Sequence, residues 1–109
     1  MRYKIQIISN ITYYIGKNAQ GNNDIIDMAK PNDIWLHVDN VPSGHVIISI
    51  PDNITKDELR HIIKVGANLC KSTIKNNTKI KVVYTKVCNI NKTNILGCVQ
   101  ITDEKYILI

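Results

Sequence analysis

Between residues 33 and 39 the chain alternates strictly, with Asp33, Trp35, His37 and Asp39 set against Ile34, Leu36 and Val38. A period of two sends successive side chains to opposite faces of a strand. The pattern predicts a strand with an aliphatic face buried and the chain's single Trp on the other face, between imidazole and carboxylates. A second strand over 45–50 pairs with it across a turn at 40–44. Val46, Ile48 and Ile50 form its apolar row, which leaves His45 and Ser49 on the side of Trp35 and His37. Residues 3–8 and 11–15 read as two more strands, joined at Ser9-Asn10 in a hairpin.

The period changes after Pro51. Leu59, Ile62, Ile63, Gly66, Leu69, Cys70 and Ile74 recur at helical spacing, and Thr55-Lys56-Asp57-Glu58 is a capping box that opens the helix. A shorter helix is expected to start near Asn22 or Asn23, bury Ile25, Ile26 and Met28, and stop at Pro31, which lacks an amide proton and restricts the residue before it. Strands at 79–86, about 97–102 and 105–109 complete the pattern. The expected architecture is α+β: a mixed, mainly antiparallel sheet with one long amphipathic helix and one short helix, in a single domain spanning 1–109.

At 109 residues the chain suits one domain. No apolar run approaches the roughly 18 residues of a membrane span, and the start of the chain alternates like a strand rather than a secretion signal, so a cytoplasmic protein is expected. Cys70, Cys88 and Cys98 are odd in number and have no C-x-x-C spacing, which favours reduced thiols over a disulfide framework. The net charge of +5 favours a polyanionic partner, provided the charge is clustered.

It does cluster in the pattern. Lys56, Arg60, Lys64, Lys71 and Lys75 fall within an arc of roughly 100° on the predicted long helix, in a stripe about 28 Å long. Such a stripe can track phosphates, or it can be an ordinary solvated lysine face. Lys79 and Lys81 add to the same end. The loop Gly16-Lys17-Asn18-Ala19-Gln20-Gly21-Asn22 leads onto a helix N-terminus, whose free amides and Lys suit an anion; a plain connection is the alternative. The Trp35 face is either a stacking platform for bases or core beneath a covering element. His37, His45 and Asp33 are the right types for zinc or for acid–base chemistry, but their spacing is loose and no nucleophile constellation accompanies them.

The ordered set Gly16-Lys17-Asn18, Asp33-Ile34-Trp35-Leu36-His37, His45-Val46 and Tyr84-Thr85 resembles the NFACT-R domain over about residues 11–101. That domain is the RNA-binding module of large ribosome-associated quality-control proteins. The run Val82-Val83-Tyr84-Thr85 followed by Asn89-Ile90-Asn91-Lys92-Thr93 looks most similar to its standalone form, the coiled-coil-domain-containing 25 group. Departures from the family pattern include Gly21 before Asn22, Leu36 in place of Phe, the inverted order Pro42-Ser43-Gly44-His45, and Asn91 beside Lys92 in place of a Lys pair.

The resemblance implies a non-catalytic domain that binds RNA, with tRNA or rRNA as targets and a place in ribosome-associated quality control or tRNA metabolism. DNA and the ribosome are further partners it brings in, and a small nuclease or a protein-interaction adaptor are the competing functions. Lys17, Asn18, Asn22, Trp35, His37, His45, Arg60, Lys64, Lys71, Lys75 and Lys92 form the candidate nucleic-acid-binding set, with no catalytic residue, metal ligand or cofactor expected.

Overall fold

The computed structural model describes residues 2–75 and 78–109. In chain order its elements are Tyr3–Ile8 (β1), Ile11–Gly16 (β2), Ala19–Met28 (α1), Ile34–Val38 (β3), Val46–Ile48 (β4) and Lys56–Lys71 (α2). Lys81–Lys86 (β5), Ile90–Lys92 (β6), Val99–Ile101 (β7) and Lys105–Leu108 (β8) follow, with a single 3-10 turn at Val87–Asn89 between β5 and β6. Six strands form one sheet in the order β1-β2-β4-β3-β5-β8, each antiparallel to its neighbours, and β6 and β7 make a separate hairpin. The class is α+β.

Local chemistry accounts for most of this. Ser9 and Asn10 take φ of 50° and 67°, the left-handed pair that a two-residue turn needs to follow strand twist. The Thr55 hydroxyl accepts from the Glu58 amide at 3.1 Å while the Glu58 carboxylate accepts from the Thr55 amide at 3.3 Å, the reciprocal cap that the sequence predicts. At the other end of α2, the Thr73 hydroxyl donates to the Cys70 carbonyl at 2.8 Å and helps close the last turn. Ile74 therefore lies beyond the helix, although it still packs on the core. Lys75 leaves the predicted helical arc with it, so the stripe on α2 is Lys56, Arg60, Lys64 and Lys71.

The short helix begins earlier than expected. Asn18 is its N-cap, accepting from the Gly21 amide at 2.8 Å. Gly21 looks like a helix breaker in sequence, yet it sits in the first turn against β1. A Cβ there would come within 1.8 Å of the Arg2 carbonyl oxygen, so close packing rather than a loop requires the glycine. Met28 is exposed, where burial was expected. The β6–β7 hairpin was only half foreseen: β6 is three residues long and two of them are polar.

Both faces of the sheet are covered. On one, α2 packs over Leu36, Val38, Val46, Ile48 and Val82. On the other, α1 and the β6–β7 hairpin pack over Trp35, Ile47 and Val83, with Ile25 at the centre. The alternation in β3 thus reports two interiors rather than one interior and one open face.

Candidate nucleic-acid interface

Trp35 is 3% exposed, which closes its indole to a stacking base. Its ring is fixed from within the protein. The indole Nε1–H donates to His45 Nδ1 at 3.1 Å, and the His37 ring lies parallel to the indole, 3° between planes and 5.9 Å between centroids. His45 meets His37 edge-on at 4.9 Å. Continuing the β3–β4 register past Leu36–Val46 sets His37 opposite His45, so the sheet itself brings the three rings together.

An indole nitrogen can only donate, so His45 Nδ1 is an acceptor and the ring's proton sits on Nε2. Burial, helped by the neighbouring His37, pushes the His45 imidazole down to about 3. His37 is also lowered by burial, opposed by the Val38 backbone and by Asp39. Both rings are therefore neutral at physiological pH. His45 is 4% exposed, and its Nε2 has no hydrogen-bond partner among the described residues, yet is not sealed from solvent.

Two loops close around this triad. The Asn22 amide oxygen accepts from the His45 backbone amide at 3.0 Å, and the Gly16 amide donates to the His45 carbonyl at 2.9 Å. A Cβ on Gly16 would fall 1.9 Å from that same Asn22 oxygen, which explains the glycine. The Gly44 amide in turn donates to the Thr73 hydroxyl at 2.9 Å, tying the turn before β4 to the end of α2. Between these loops opens a cavity of about 860 Å³, inside the range of roughly 300–1,000 Å³ usual for small-molecule sites. Lys4, Lys17, Asn18, His37, His45 and Thr73 contribute polar groups, Ile15, Ala19, Val41, Pro42 and Leu96 contribute apolar surface, and no carboxylate is among its described lining residues.

The sequence-derived candidates divide accordingly. Lys17, Asn18, Asn22, His37 and His45 converge on the cavity; Trp35 supports it from beneath. Asn22 acts as a structural tie, because its oxygen is engaged with His45. Arg60, Lys64 and Lys71 lie on α2, where Arg60 reaches Asp57 at 3.4 Å and Lys71 donates to the Ile109 carbonyl at 3.3 Å. Lys92 is paired with Asp27 and links β6 to α1. Tyr84 packs on the α2 side, away from Trp35. The idea of a His37–His45–Asp33 metal site fails on geometry. Asp33 precedes β3 while His37 is near its far end, four residues or about 13 Å along the strand. Its carboxylate is occupied by the Lys30 and Ile50 amides at 2.9 and 3.0 Å.

Sequence reasoning missed Lys4, Thr73 and Leu96–Cys98. The first lies on an edge strand with no special pattern, and the last reach the cavity only because the β6–β7 loop folds onto α1, where the Gly97 amide donates to the Asn23 side chain at 3.2 Å.

Residues 1–102 match the NFACT protein RNA binding domain, and the chain belongs to that family. It is 34% identical over 97 residues to coiled-coil domain-containing protein 25 from Danio rerio, covering 83% of this chain and 45% of the relative. The Mus musculus protein of the same name is 36% identical over 101 residues, 85% of this chain and 47% of the relative. The Rqc2 homolog RqcH of Bacillus subtilis is 33% identical over 89 residues, 79% of this chain but 15% of that protein. The chain thus spans about half the length of the coiled-coil relatives. Its fold is also similar to that of the C-terminal part of the fibronectin/fibrinogen-binding protein from Streptococcus suis, with a TM-score of 0.83 and 21% identity over 100% of this chain and 45% of that one.

Proposed function

We propose that this NFACT-R domain binds RNA at the cavity between the Gly16–Asn22 and Pro42–His45 segments, and that it does so without catalysing a reaction on the RNA. The supporting observation is the cavity itself: the family's signature residues meet there, Lys4 and Lys17 edge it, and its described lining holds no carboxylate. Cations without counter-ions attract phosphate and release its bound counterions, which makes affinity fall steeply with salt. Transfer or ribosomal RNA in the cytoplasm, within ribosome-associated quality control or tRNA metabolism, is the target that the family resemblance favours.

The nuclease alternative has the two imidazoles it needs side by side. Their chemistry opposes it. A general base works best with a pKa near the operating pH, whereas His45 lies at about 3 with Nδ1 already held by Trp35.

The test is a salt titration of labelled tRNA binding by the protein and by a Lys4→Gln, Lys17→Gln double variant. The double variant is expected to bind more weakly and to lose up to about two units of log–log salt slope, with the tRNA intact after incubation. An unchanged slope would remove the cavity from the interface. Cleavage that disappears in His37→Ala would replace the binding reading with the nuclease.

A further inference from the structure

His45 poses a question that phosphate binding leaves unanswered. A phosphate needs cations and backbone amides, and Lys4, Lys17 and the start of α1 supply them at the rim. Deeper in the same cavity stands a neutral ring, 4% exposed, whose Nε2–H is unpartnered among the described residues. That nitrogen is not sealed from solvent, so it is free to donate to a ligand acceptor in place of water. Beside it His37, the least buried of the three rings, rests on Trp35 and forms part of the cavity wall. Apolar side chains of Ile15, Val41, Pro42 and Leu96 line the same recess. This is a wide recess, open to solvent, that offers one donor, one aromatic ring fixed by stacking, apolar wall surface and two exposed lysines.

We propose, building on the RNA-binding reading, that the recess receives one unpaired nucleobase, which stacks on His37 and accepts a hydrogen bond from His45 Nε2–H while Lys4 and Lys17 hold the adjoining phosphates. Every base carries acceptor atoms on its edges and a π face, so a single donor beside a ring accepts all of them. The site is therefore tolerant of sequence but demands an unstacked nucleotide. A base within a helix offers neither its face nor room for the recess wall, so loops, bulges and single-stranded ends are the RNA elements that fit. Trp35 is a positioning residue in this scheme. It fixes the tautomer by donating to Nδ1, which obliges Nε2 to carry the proton, and it sets the plane of His37.

The experiment follows the imidazole nitrogens of 15N-histidine-labelled protein by NMR during titration with a ten-nucleotide oligouridine and, separately, with a blunt RNA duplex. The single strand is expected to move the His45 Nε2 resonance and the His37 resonances, and the duplex to leave them in place. In parallel, His37→Ala should weaken oligouridine binding about tenfold and His37→Phe, which keeps an aromatic face, should restore most of it. His37 is only half-buried, so both variants are expected to fold, which the NMR spectrum itself reports. If oligouridine binds with both histidines unmoved and His37→Ala unaffected, the nucleobase site is overturned and RNA binding stands. If the duplex moves the histidines as strongly as the single strand, the requirement for an unpaired base is overturned. If neither RNA binds at all, both readings fall.

Discussion

The two faces of the sheet solve the same burial problem with different chemistry. Under α2 the interior is Ile15, Ile34, Leu36, Val38, Val46, Ile48, Val82 and their neighbours, aliphatic almost throughout. Under α1 the apolar set shrinks to Ile25, Trp35, Ile47 and Val83. The buried polar residues Asn22, Asp33, His45 and Thr85 gather on this second side: Asp33 and Trp35 share a face by alternation, Thr85 pairs with Trp35 across β3 and β5, and Asn22 and His45 hold each other. Each is tied by specific hydrogen bonds, the Thr85 hydroxyl to the Thr102 carbonyl at 2.9 Å for example. An aliphatic layer stabilises a fold without specifying orientation. A hydrogen-bonded layer fixes ring planes and tautomers, which is what a recognition site requires.

The comparison breaks most visibly by excavating the aliphatic side. Ile48 is fully buried between the sheet and α2, and Ile48→Ala is expected to lower unfolding free energy by about 2–5 kcal/mol. Urea denaturation measures the loss. Affinity for RNA per folded molecule should hold, because no cavity-lining group changes; a parallel fall in that affinity would mean that the two layers are coupled.

Acid separates the faces by a smaller amount. The His45 pKa is about 3 in the fold against roughly 6.5 in an unfolded chain, so below 6.5 the unfolded state binds the extra proton. The stability from keeping His45 neutral is fully present above pH 6.5 and is lost progressively as pH falls toward 3. By pH 4.5 that loss should reach roughly 3 kcal/mol, and it should shrink in His45→Gln. On the other side the titration runs the opposite way. Burial lifts the Cys70 thiol to about 11, so its contribution is intact below the usual thiol range and fades only as pH climbs through it. Denaturation midpoints at pH 4.5 and 7.5 that coincide in the parent protein would contradict the assignment of His45.

The smallest effect on stability tests whether function is confined to one face. Lys56 and Lys64 are exposed on α2, and changing both to Gln should alter stability by less than about 0.5 kcal/mol. If the α2 stripe contributes nonspecific attraction, the same change flattens the salt dependence of RNA binding by up to about two log–log units. A slope that stays put would leave binding to the cavity side alone.

These contrasts also explain what the chain disclosed in advance. The long helix was legible because a capping box and a helical row of apolar residues pointed the same way. Its end was less so, since Ile74 keeps the period while the Ser72 and Thr73 hydroxyls cap the carbonyls before it. The start of α1 was obscured by Gly21, whose reason is the Arg2 carbonyl pressed against it, a contact invisible in one dimension. Trp35 was placed on the correct face, beside His37 and His45. Alternation says which side a residue points to, and it cannot say what lies across from it. The cover consists of α1, through Ile25, and the β6–β7 hairpin, and the hairpin is too short and polar to announce itself. Lys17, Asn18, Asn22 and His45 were legible as candidates from the family resemblance, while Lys4 and Leu96–Cys98 entered through tertiary folding alone.

The make-up of the cavity has a consequence for the order in which a growing chain acquires its parts. Its lining runs from Lys4 to Cys98. Synthesis proceeds at about 5–20 residues per second, and once residue 48 has left the exit tunnel β1 through β4 can pair, since each neighbours another in the sheet. The wall formed by Leu96–Cys98 does not yet exist at that stage, and Thr73 is still to come. Strands and rings can be in place seconds before the last wall of the cavity emerges. A nascent copy held at that stage would lack the Leu96–Cys98 wall beside His37 and His45, so the pocket is complete only after residue 98 has emerged.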